Sequence, residues 1–279
     1  MNITATTQLD EAQKALLHQL EDACNTADGT AFEIFASNVF NVYLQQNAFY
    51  FCREGEAVLG VLNVYADSPD LAELTVLVAP QYRRRGVCAA LLAAAKQELE
   101  RYGYRKVRFK TDEAFAPAAE ILQRRGFVPD GREYLMVAQP GAAAPQDGIT
   151  VRLAQDTDVE ALASLQAEAF REEPETARRY VRETLAGSQQ ALYAAEEAGQ
   201  VVGCTSVDLA GRYAYLYGLC VAAAMRGRGV GKAMLRGVLA RQTRQTALHV
   251  EAENTAARRL YEGAGFRRQA VQAYWLGNL

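Results

Sequence analysis

Residues 221–235 read V-A-A-A-M-R-G-R-G-V-G-K-A-M-L, with Gly227, Gly229 and Gly231 set among Arg226, Arg228 and Lys232. An apolar run containing Leu216, Leu219, Cys220 and Val221 leads in, and Val230, Met234, Leu235 and Val238 follow at spacings of three and four. That is a strand, a glycine turn and the start of a helix. Such a junction suits an anion. First-turn amides point outward, the helix dipole favours negative charge, and glycines remove the Cβ atoms that would hold a ligand off the main chain. A pyrophosphate matches it, gripped by amides more than by the basic side chains. The spacing R-x-x-G-x-G is neither the dinucleotide fingerprint nor the Walker pattern. Taken alone it also suits a plain strand-to-helix loop carrying solvated arginines. Further on, Asn254 and Tyr261 lie seven residues apart, on one helix face two turns from each other. An amide and a phenol so placed can hold a ligand and donate a proton. They can equally be an N-cap and a core aromatic beside Leu260.

The second segment, N-T-A-A-R-R-L-Y-E-G-A-G-F at 254–266, closes on Gly265-Phe266. The two segments in this order resemble motifs A and B of the GNAT N-acetyltransferases, whose turn is [RQ]-x-x-G-x-[GA]. The resemblance implies acetyl-CoA as cosubstrate and direct transfer of its acetyl group to a primary amine of a small molecule or peptide. It implies a pantetheine arm lying along Leu219, Cys220 and Val221 like an added strand. The pyrophosphate would sit on Arg226, Gly227, Arg228, Gly229, Val230, Gly231 and Lys232. Asn254 would bond the coenzyme, Tyr261 would protonate the departing thiolate, and a strand amide at Val221 would meet the oxyanion. Such a transfer needs no covalent intermediate, so Cys220 reads as core. The base is unassigned. Tyr215 and Tyr217 occupy the strand where many relatives carry a glutamate; Glu251, Asp208, His249 and a water-mediated route are the alternatives. A competing reading, a non-catalytic acyl-CoA sensor or protein-interaction module, gains from the missing base. The retained Asn254 and Tyr261 weigh against it.

The whole chain narrows the field. Its 279 residues make one large domain or two ordinary ones, each able to bury a core. Half the residues are hydrophobic and 23% charged, a globular composition. A net charge of −3 without a polybasic run disfavours nucleic-acid and anionic-membrane partners. No apolar stretch reaches the roughly 18 residues a bilayer crossing needs, and the polar start M-N-I-T-A-T-T-Q has no export-signal form. Five cysteines and two histidines show neither paired nor zinc spacing, so no metal is expected, and free thiols in a reducing cytoplasm are the simplest reading. The acidic cluster Glu168, Glu172, Glu173 and Glu175 is either a solvated face or a hint of a cationic amine acceptor. Oligomeric state is not readable.

The elements that must position these groups recur. Leu9, Ala12, Leu16, Leu20 and Ala23 predict a first helix closed by Asp28-Gly29, and residues 35, 39, 42 and 43 predict a second over 32–46. Strands are expected at 48–53, 57–65 and 71–79. Then Q-Y-R-R-R-G-V-C-A-A-L-L echoes the glycine turn 143 residues early, with Val87, Leu91, Ala95 and Leu99 on one helix face. Ala118, Ile121, Leu122 and Gly126-Phe127 echo 257–266 at a shift of 139, so the chain reads as an internal duplication. The first copy has lost the chemistry: Arg84 replaces Gly227, Cys88 replaces Gly231, Phe115 replaces Asn254 and Leu122 replaces Tyr261. Charge agrees, since residues 1–147 carry 14 Lys and Arg against 19 Asp and Glu, and 148–279 carry 16 against 14. The expected organisation is a degenerate, non-catalytic domain at 1–139, a Pro/Gly linker at 140–148, and a catalytic domain at 149–279. Each is expected to be a mixed, mostly antiparallel sheet flanked by helices (α/β, α+β type). In the second copy a strand at 149–154 leads to a helix capped by Asp156 or Asp158, then strands at 191–196, 201–209, 213–221, 246–251 and 267–276. The first copy's opening strand cannot be placed. The tandem arrangement resembles the double-GNAT proteins, mycothiol synthase among them. The specific motifs cover only about 215–266, so no acceptor is implied.

Overall fold

A computed structural model describes residues 1–141 and 148–279; most of the expected linker therefore lies outside the described residues. The chain divides into two compact units, Met1–Glu133 with Ala270–Leu279, and Tyr134–Gln269.

The first unit opens with strand β1 (Asn2–Thr6), the element the sequence left unplaced, antiparallel to β2 (Phe49–Glu54). Helix α1 (Glu11–Asp28) starts on a capping box between Asp10 and Gln13 and ends at Gly29, whose φ of 67° is left-handed. The helix predicted over 32–46 is absent. Groups outside the segment take backbone bonds a helix would need: Asn25 pairs with both main-chain groups of Phe32, Glu21 accepts from Ile34 N, and Ala66 O accepts from Val42 N. Strands β3 (Ala57–Tyr65) and β4 (Leu71–Val78) continue antiparallel. Helix α2 (Val87–Arg101) crosses over to β5 (Lys106–Asp112), parallel to β4. All four residues expected on its inner face are buried. Helix α3 (Ala116–Arg124) follows, and β6 (Val128–Ala138) begins within this unit. The last strand, β12 (Arg267–Asn278), returns from the far end of the chain, and from Gln272 to Asn278 it pairs antiparallel with β5. The order is β1-β2-β3-β4-β5-β12. One face packs on α2 through Tyr50, Leu62 and Leu74; the other packs on α1 through Phe49, Phe51 and Val61.

The second unit repeats the plan. Strand β7 (Thr150–Leu153) pairs with β8 (Gln190–Glu197), β8 with β9 (Gln200–Asp208), and β9 with β10 (Ala214–Val221), all antiparallel; β11 (Thr246–Glu251) runs parallel to β10. The order is β7-β8-β9-β10-β11 and then the later part of β6, from Tyr134. Helices α4 (Val159–Phe170) and α5 (Pro174–Ala186) cover one face around Leu162, Val181, Leu192 and Cys220. Helices α6 (Val230–Leu239) and α7 (Thr255–Gly263) cover the other around Leu216, Leu235, Leu248 and Phe266. Asp158 does not cap α4 as expected. Its carboxylate grips Arg152 in a bidentate pair at 2.6 and 2.9 Å and accepts from Gln155 N. Both units are thus mixed, mostly antiparallel sheets between helices.

Candidate active site

The glycine turn has the conformation its residue types call for. Gly227 and Gly229 adopt φ of 77° and 89°, left-handed values that disfavour any side chain. Gly229 is the N-cap of α6 and offers no side-chain cap. The first amide to close a helical bond is Ala233 N, to Gly229 O at 3.0 Å, so those of Val230, Gly231 and Lys232 have no partner one turn back. Gly231 is close-packed for another reason: a Cβ there would stand 3.1 Å from Leu260 Cδ2 on α7, which would have to give way by a few tenths of an ångström. The basic residues play lesser parts. Arg226 Nε donates to Val221 O at 3.2 Å, pinning the strand end to the turn, while Arg228 reaches Glu197 at 3.3 Å and Lys232 is exposed.

The strand feeding the turn holds the feature sequence reading missed. β10 pairs with β11 only at Ala214 and Tyr215, so beyond Tyr215 the two strands part. On its other side β10 matches Tyr217 to Ser206 and then Cys220 to Cys204, leaving two residues, Gly218 and Leu219, opposite Thr205. This is a β-bulge, with Gly218 at φ 64°. A glycine inside a strand pattern was the available signal. The extra residue reverses side-chain parity. Tyr215 and Tyr217 precede it with their rings stacked at 6.5 Å, and burial pushes the Tyr217 phenol above its usual value. After it, Cys220 turns to the α4/α5 face while Leu219 and Val221 pack on the α6 side. Cys220 is core, its Sγ 3.2 Å from that of Cys204.

Past the vertex of the parted strands, His249 on β11 reaches back so that its Nδ1 lies 2.8 Å from Tyr215 Oη. Asp208 is buried, its Oδ1 accepting from Ala210 N at 2.7 Å in the following turn, and Glu251 is exposed at the strand end. Neither is placed as an obvious base. On the opposite face, Asn254 caps α7 by accepting from Ala257 N at 3.1 Å, the plainer of its two expected roles. Tyr261 is partly buried, edge-on to Phe266 at 5.8 Å. Burial pushes its phenol above the usual value, further from neutrality, so it carries its proton there.

The two copies share local details at the predicted shift of 143. Arg83 Nε donates to Val78 O as Arg226 does to Val221 O, and Arg84 holds φ 63° where Gly227 holds 77°. Gly60 and Gly203 are both pressed: a Cβ would meet Leu77 O at 2.7 Å in one and Cys220 O at 3.0 Å in the other. The bulge is not shared. β3 and β4 pair without interruption from Gly60↔Val78 to Tyr65↔Glu73.

A profile of the acetyltransferase (GNAT) family matches residues 14–127 and again 159–266. The chain belongs to the acetyltransferase (GNAT) family. As a tandem GNAT acetyltransferase it moves the acetyl group of acetyl-CoA to an amine acceptor. It is 31% identical over 295 residues to a mycothiol acetyltransferase of Amycolatopsis mediterranei, spanning 96% of each chain. Its fold is that of a GCN5-related N-acetyltransferase from Sphaerobacter thermophilus (TM-score 0.76, 21% identity, 99% and 95% of the two chains covered). A tandem GNAT protein of the clavulanic acid biosynthesis pathway is also similar (TM-score 0.70, 18% identity, 99% and 98% covered). Among the described residues of this GNAT protein, no helix is long and apolar enough to cross a membrane, and no cluster of three or more His, Cys, Asp or Glu could hold a metal.

Proposed function

We propose that acetyl-CoA is held by the Tyr134–Gln269 unit and that the first copy carries no acetyl transfer. The observation that carries this reading is the combination found only in the second copy: a bulge at Gly218 beside strands that part in both copies, and a turn whose left-handed residues are both glycine. Main-chain amides at 229–232 take the pyrophosphate, with Arg226, Arg228 and Lys232 adding a diffuse positive field. The free edge of β10 at Leu219, Cys220 and Val221 pairs the pantetheine amides. An amide of the bulged stretch, at Val221 or just before it, meets the oxyanion. Asn254 keeps its Oδ1 for the helix cap and offers Nδ2 to the coenzyme. Tyr261 gives its proton to the leaving sulfur from the α6/α7 face. The Tyr215–His249 pair, beside Tyr217, takes the proton of the attacking amine from the α4/α5 face. Donor and acceptor of protons thus stand on opposite sides of the reacting carbonyl.

The acceptor is a primary amine, and the amine substrate of the mycothiol acetyltransferases is the first to try. Five free cysteines fit a reducing compartment, and we place the reaction in the cytoplasm. The test is Tyr261→Phe assayed by CoA release over a panel of amines. Turnover is expected to fall about tenfold or more while acetyl-CoA affinity by calorimetry is kept. Unchanged turnover removes the acid role; binding without turnover in the parent chain across the panel favours a sensor.

A further inference from the structure

The first unit contains a cleft of about 990 Å³, outside the unit proposed to carry acetyl transfer. It opens because β4 and β5 pair only from Leu71↔Lys106 to Leu74↔Phe109 and then diverge. Val76, Val78, Val87, Leu92, Phe115 and Ile121 give it an apolar lining, and Ile121 is 51% exposed there. The volume lies at the upper end of the range for small-molecule sites, which are mostly apolar with a few polar groups fixing orientation.

The charges in the cleft are one-sided. Its lining includes Arg83, Arg84, Lys96, Lys110 and Arg125 against two acids, Asp28 and Asp112, in a half of the chain whose net charge is negative. Both acids are already engaged. Asp28 holds Arg83 in a fork at 2.6 and 2.7 Å, and Asp112 accepts from Ala31 N and Ala114 N. Lys96 donates to Leu279 O at 3.1 Å and has Glu100 at 3.6 Å, and Lys110 lies over the Phe32 ring. Arg84, in the turn before α2, and Arg125, at the C-cap of α3, both line the cleft and are exposed, and Arg125 is near enough to Cys88 on the first turn of α2 to act on its thiol. A diphosphate does not suit this end of the cleft. Cys88 occupies the second helical position and Arg84 puts a side chain on the turn, where the other copy has Gly231 and Gly227. A planar carboxylate, by contrast, matches a guanidinium fork without needing bare main chain.

We propose that this cleft binds an apolar carboxylate, with its hydrocarbon body between β4 and β5 and its head group at Arg84 and Arg125. The inference does not depend on which residues of the second unit perform acetyl transfer. The test is calorimetry of the full chain with decanoate, decanol and decylamine, each below its micellar concentration, and with CoA as competitor. Decanoate is expected to bind at one site, with the alcohol and the amine about tenfold weaker or more. Leu92→Trp, which fills the cleft, should abolish binding; Val76→Trp serves if that variant does not fold. Arg84→Gln with Arg125→Gln, both surface changes, should bring decanoate down to the level of decanol. Equal binding of the three probes, binding retained in a folded cleft-filled variant, or displacement of decanoate by CoA would each overturn the proposal.

Discussion

Tyr215 and His249 are 34 residues apart in sequence and 2.8 Å apart in the fold, at the point where two strands separate. A base placed there acts only while the amine still carries its proton, so its removal should hurt less as pH rises. His249→Gln is expected to lower turnover about tenfold or more at neutral pH with acetyl-CoA affinity unchanged. Raising the pH toward deprotonation of the acceptor ammonium should narrow the defect, read from kcat profiles of the two proteins. A defect constant with pH assigns His249 to packing. Tyr215→Phe, which keeps the ring stack with Tyr217, should show a smaller loss of the same shape.

At the scale of elements, the turn and the strand before it do different work and fail differently. Gly229→Val places a branched side chain at φ 89°, whereas Gly231→Val pushes against Leu260 and so moves α7, which carries Tyr261. Both should abolish acetyl-CoA binding by calorimetry, but only the second should also shift α7 chemical shifts in the protein without ligand. The entrance to α4 makes a prediction about stability. Arg152, by hydrogen bonding, holds the buried carboxyl of Asp158 below the usual carboxylate range. A depressed folded value means the pair contributes fully above the ordinary aspartate range and is lost as pH falls through the lowered value. Arg152→Ala should cost about 2 kcal/mol at neutral pH because it strands a buried charge. In thermal melts the difference from the parent should shrink in acid.

The chain ends in the unit where it began. Residues from Ala270 onward belong with the N-terminal unit, and the chain's single tryptophan, Trp275, is buried there against Leu122, Phe109 and Phe127. Trp275→Ala should cost about 3–5 kcal/mol, and the loss should fall first on the half of the chain more distant in sequence. Hydrogen exchange should quicken over Lys106–Asp112 before Thr246–Glu251; the reverse order would mean the last strand stabilises its own half. Because Trp275 is the only tryptophan, its fluorescence in the parent reports unfolding of the first unit alone.

The duplication, the turn glycines, the inner face of α2 and the helix that starts at Asn254 were all legible in the sequence. They depend on φ preference and helical period, which are properties of a few neighbouring residues. Residues 32–46 misled because a helical spacing of apolar groups does not reveal that Asn25, Glu21 and Ala66 O will take the backbone bonds. The reversal of parity at Gly218, the meeting of Tyr215 with His249, the unit the last strand joins and the apolar cleft of the first copy were decided only by tertiary structure. Each depends on which strands pair and where the pairing stops, and that is settled by contacts between residues far apart in the chain.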